Sequence, residues 1–124
     1  MVNPDRMDAM IKSADAAYEA IRSLNHATIT TTVPAPVAYA LLGSLRQLQA
    51  EVAQLSAQLS SGLRRSLTEY DVYDDTRDPA ESIAMAAAAL TETAIHANRA
   101  AECAAAAQLA ITWQGFRLDK EGDR

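Results

Sequence analysis

Apolar residues recur at alternating steps of three and four along most of this chain, the period of helices that each bury one face. The strongest such stripe is Ala38, Leu41, Leu45, Leu48, Val52, Leu55 and Leu59, at heptad a/d spacing. Leu63 and Leu67 continue it at steps of four, and Ser60-Ser61-Gly62 marks the change of register. A glycine inside a helix costs about 1 kcal/mol against alanine, so a local kink is predicted near Gly62. Ile83, Ala87, Leu90, Ala94, Ala97, Ala101 and Ala104 form a second stripe, rich in alanine. A third and shorter one, Met7, Met10, Ala14, Ala17, Ile21 and Leu24, precedes both.

Boundary residues divide these stripes into three helices. The first is predicted over about 4–25, with Asn3 as N-cap, Pro4 at N1 and Asp5 in the first turn. The β-branched run Ile29-Thr30-Thr31-Thr32-Val33 and the prolines at 34 and 36 predict an extended connector over 26–35. The second helix is predicted over about 36–67, and Gly43 within it allows a neighbouring helix to come close. An acidic turn follows over 68–78. The third helix, about 79–113, has the clearest start: Asp78 as N-cap, Pro79 at N1 and Glu81 at N3. Gly115 is its expected C′ residue, and the charged tail 117–124 is expected to fray.

The fold class that follows is all-α: a long antiparallel helical hairpin with a shorter N-terminal helix, in one domain over 1–124. Aromatic residues are only 5% of the chain while hydrophobic ones are 49%, so the core has to be aliphatic. The 27 alanines favour helix and close approach of backbones. A first helix shorter than its two neighbours leaves part of the long helices uncovered. Pairing of two hairpins in a larger bundle, a homodimer, answers that geometry. Leu41, Leu45, Leu48, Val52, Leu55 and Leu59, with Leu90, Ala94, Ala97 and Ala101, are the expected assembly seam.

Charge narrows the function classes. The net charge is −5, and residues 68–82 alone sum to −5, with six carboxylates against Arg77. No segment carries the basic footprint of a protein that wraps a nucleic-acid backbone, so nucleic acid is not an expected partner. No apolar run approaches the ~18 residues of a membrane span. The first residues lack the basic and apolar regions of a signal peptide, which makes the cytoplasm the expected compartment. The single cysteine, Cys103, excludes a disulfide within one chain.

Little of the sequence points to catalysis. Glu92, His96, Arg99 and Cys103 share one helical face, but the spacing is Glu-x-x-x-His rather than the Glu-x-x-His of di-metal bundles. An ordinary i,i+4 surface pair is the simpler reading. Cys103 and His96 stand about 10 Å apart along one helix, too far for direct activation of the thiol. The four glycines are scattered, so there is no phosphate-binding loop. The turn has neither the glycine nor the ligand order of a calcium loop. No enzyme activity, cofactor or metal is expected. The turn does interleave tyrosines with carboxylates, and Tyr70, Tyr73, Asp74 and Asp75 are the candidate docking residues for a basic protein partner.

Trp113-Gln114-Gly115 and the Tyr-x-x-x-Asp of Tyr70–Asp74 look like elements of the small secreted helical hairpins of the type VII pathway. In that family Trp-x-Gly lies in the turn between the helices and the tyrosine motif beyond the second helix. Here the order is reversed and the resemblance covers eight residues, which establishes no membership. The expected function is a non-enzymatic scaffold or protein-interaction module acting through an oligomeric surface. A small helical regulator or antitoxin-like protein is the alternative, and a secreted hairpin effector a further one.

Overall fold

A computed structural model describes residues 3–118 and contains three helices, α1 Pro4–Ile29, α2 Ala35–Glu69 and α3 Pro79–Ala110. No strand occurs among the described residues. The chain is all-α, and α2 and α3 form the antiparallel hairpin. The chain divides into two compact units, Met1–Val33 and Pro34–Arg124. The expectation for the tail lies outside the described residues beyond Leu118.

The first unit is α1. The Asn3 side chain accepts the Arg6 N–H at 3.2 Å, and Pro4 and Asp5 occupy the first turn. No residue of α1 is buried, and Met7, Met10, Ile11, Tyr18 and Leu24 are exposed. Asp8–Lys12 at 3.0 Å and Glu19–Arg22 at 3.6 Å decorate it, exposed pairs worth a few tenths of a kcal/mol each.

The helix runs past residue 25, where the sequence predicts its end, and the connector shrinks from 26–35 to 30–34. The cause is local. The Thr28 hydroxyl donates to the Leu24 carbonyl at 2.8 Å, so this β-branched residue is satisfied inside the helix. Poor propensity costs only tenths of a kcal/mol per residue, and no breaker stands before Pro34.

In the second unit, α2 starts at Ala35, with Pro34 as a cap whose carbonyl accepts the N–H groups of Val37 and Ala38, both at 3.0 Å. It then continues as helix through Gly62 to Glu69, so the predicted kink does not interrupt it. A Cβ at Gly62 would meet only the Arg65 guanidinium at 3.8 Å. Gly43 differs. There the Gln108 side chain of α3 reaches across to donate to the Tyr39 carbonyl at 3.1 Å, and a Cβ on Gly43 would stand 3.0 Å from that amide nitrogen.

Asp78 caps α3 by accepting the Ala80 N–H at 3.4 Å, and Pro79 and Glu81 stand in its first turn. The helix ends at Ala110 rather than near 113. The N–H groups of Ile111 and Thr112 bond to the carbonyls three residues back, at 3.3 Å each, and the last winding tightens. No described residue has a positive φ, so Gly115 is not the left-handed cap its position predicts.

The two helices meet through small residues. α3 buries Ile83, Ala87, Ala97 and Ala104, with Leu90, Ala94 and Ala101 half-buried on the same stripe. α2 buries Ala35, Ala53, Ser56 and Ser60. Ser56 tolerates burial because its hydroxyl donates to the Val52 carbonyl at 2.8 Å. Small facing residues let helix axes approach at the short end of the usual range of about 8–10 Å. No large side chain is fully buried among the described residues.

Candidate functional site

Two surfaces of the hairpin carry the candidate residues. The first is the leucine stripe. Helical periodicity places it about a quarter-turn away from the Ala53–Ser56–Ser60 face that meets α3. Leu41, Leu48 and Val52 within it are half-buried, and Leu45, Leu55, Leu59, Leu63 and Leu67 are exposed, Leu55 at 51%. The alanine half of the expected seam thus lies inside the hairpin and the leucine half on its flank. Size decides this: a leucine wedged between the helices would hold them apart, whereas alanine and serine let them close.

The second surface is the turn. α2 ends at Tyr70, whose N–H still bonds to the Ser66 carbonyl at 3.0 Å. Asp74 then organises the loop. Its carboxylate accepts the Thr76 N–H at 2.9 Å, the Thr76 hydroxyl at 3.0 Å and the Arg77 N–H at 3.2 Å. These donors favour the ionised form, and the carboxyl titrates at about 2 against an ordinary 3.8. The Ser82 hydroxyl contributes most to that shift, followed by the Thr76 backbone and side chain and opposed by slight desolvation. The Ser82 hydroxyl also donates to the Pro79 carbonyl at 3.0 Å.

The four candidate docking residues consequently part company. Asp74 is occupied by its own backbone and serves as a structural residue of the turn. Tyr73, 83% exposed, and Asp75 point into solvent, while Tyr70 is exposed by a narrow margin. Sequence reasoning missed this division, although Asp-x-Thr is a recognisable Asx-turn signal.

Glu92 and His96 are exposed and 3.5 Å apart at i,i+4 spacing, and Cys103 is an exposed free thiol. No group of three side chains able to hold a metal ion occurs among the described residues. A shallow cleft of about 280 Å³ lies between the start of α2 and the end of α3, lined by Pro36, Tyr39, Ile111, Thr112 and Gln114. Its lining carries the hydroxyls of Tyr39 and Thr112 and no charged side chain. No described helix is long and apolar enough to cross a membrane.

The fold and these surfaces define an all-α protein whose second unit is an antiparallel hairpin closed by small residues. No family model, curated protein or solved structure gives a match to the chain.

Proposed function

We propose that this chain is a non-enzymatic cytoplasmic interaction module, a scaffold whose working surface is made by assembly and whose unit is a homodimer. The observation that carries the reading is the leucine stripe of α2, left exposed by a hairpin that closes with alanine and serine. Burial of apolar surface is worth roughly 25 cal/mol per Å². Leucines outside the hairpin's own contact therefore retain a driving force for burial against a further helix. A contiguous apolar patch on a folded domain is the ordinary mark of such a surface. Pairing hairpins as a four-helix, coiled-coil-like bundle would cover it. The acidic turn gives the assembled unit a second contact, with Tyr73 as aromatic anchor and Asp75 as charge for a basic protein partner.

Light scattering coupled to size exclusion across a dilution series tests this. The expected result is a mass twice the chain's 13.3 kDa, falling only at low concentration. A mass of one chain at every concentration would overturn the reading.

A further inference from the structure

We infer that the leucine stripe of α2 takes a second copy of the same stripe, with the two α2 helices antiparallel about a twofold axis near residue 54. The inference rests on the assembly reading and adds to it the face, the register and the orientation.

The register comes from the stripe itself. Reversing it about a point near residue 54 sets Leu41 opposite Leu67, Leu45 opposite Leu63, Leu48 opposite Leu59 and Val52 opposite Leu55. Each of these eight residues meets an aliphatic partner, which is the self-complementarity a twofold interface requires. The step change at Ser60-Ser61-Gly62 does not break this pairing, because α2 continues as helix through it.

The area is that of a weak, reversible dimer. From Leu41 to Leu67 the stripe is about 40 Å long on a helix about 10–12 Å across. Those dimensions give about 400–480 Å² per copy, or about 800–960 Å² for the pair, in the range of transient interfaces. On α3 the positions one residue before the packing face lie on the same side of the hairpin, as helix handedness requires for antiparallel neighbours. They include Ala86, Ala89, Thr93, His96, Ala100 and Cys103, small side chains apart from His96, which the partner helix has to clear.

Charge selects the orientation. A parallel pair would bring two acidic turns together, each carrying a net charge of −5 over residues 68–82. The antiparallel pair sends the turns to opposite ends, roughly 50 Å apart and several Debye lengths of about 8 Å away. Opposed helix dipoles favour the same arrangement.

The test combines mass and distance. Leu55→Glu and, separately, Leu59→Glu place a charge in the interface at positions exposed in the single hairpin. Each should keep the helical circular dichroism and weaken dimerisation on the order of a hundredfold. Ile95→Glu, at a comparably exposed residue of α3 outside the stripe, should leave the dimer intact. A spin label at residue 69 in a Cys103→Ser background should report a separation of about 45 Å between copies, set by the rise of the 31 residues between positions 38 and 69. A dimer that survives both leucine substitutions would refute this face while leaving assembly itself standing. A label separation below about 20 Å would refute the orientation. A chain that is monomeric throughout would remove both inferences.

Discussion

The buried faces of α2 and α3 are built from the same kind of residue, although the two helices carry very different apolar residues overall. α3 buries alanine because alanine is most of what it has on that face, with Ile83 the larger exception. α2 has a leucine stripe and buries alanine and serine instead. Total hydrophobicity therefore does not decide which face of a helix turns inward. The partner's shape does: an alanine face is met best by a face as flat as itself, because dispersion contacts fall away within an ångström of separation. The leucines of α2 are displaced to the flank.

The sharpest way to break this comparison is to put a large side chain where each helix keeps a small one. Ala87 has no exposed surface, so Ala87→Leu should force α2 and α3 apart and lower stability by about 1–3 kcal/mol. Urea unfolding followed by circular dichroism measures it. In contrast, Leu59→Ala should cost under about 1 kcal/mol in the monomeric hairpin, because half of that side chain is already in water. Equal losses at the two positions would show that the leucines hold the hairpin together after all.

The two α2 glycines sharpen the same point. Gly62→Ala meets open surroundings and should raise the midpoint by an amount worth about 0.5–1 kcal/mol. Gly43→Ala places a methyl group 3.0 Å from the Gln108 amide, so that side chain has to shift and its bond to the Tyr39 carbonyl weakens. The propensity gain should then be offset in part or whole. Comparing thermal midpoints of the two variants checks this directly.

The smallest effect concerns the turn. Asp74 titrates at about 2 when folded and near 3.8 otherwise. A depressed carboxyl binds fewer protons in the folded state, so its contribution is complete above about pH 4 and fades as pH falls toward 2. Asp74→Asn keeps an acceptor for the Thr76 and Arg77 N–H groups and should flatten that acid dependence while changing little at neutral pH. A variant that loses stability as steeply as the parent between pH 4 and 2 would assign the dependence to other carboxylates.

Much of the architecture is legible in the residues. Asn3-Pro4 and Asp78-Pro79 mark two helix starts by side-chain capping, a local interaction that needs no tertiary partner. Helix ends read less well. Thr28 extends α1 by bonding back to its own helix, and α3 stops in a tightened winding short of Gly115. Both depend on single hydrogen bonds worth about 0.5–1.5 kcal/mol net, which composition does not resolve. Within the turn, the candidate docking set hid a structural member, because Asp74 and Asp75 look alike in sequence while only the first is aimed at Thr76.

The sequence by itself determined an all-helical chain, the hairpin's antiparallel sense and one apolar stripe on each helix, since periodicity, caps and a short turn act within a few residues. Only the tertiary structure decided which faces meet. That choice depends on the fit of two surfaces against each other, and no single helix contains it. The closing of alanine on alanine and serine left the leucines of α2 outside.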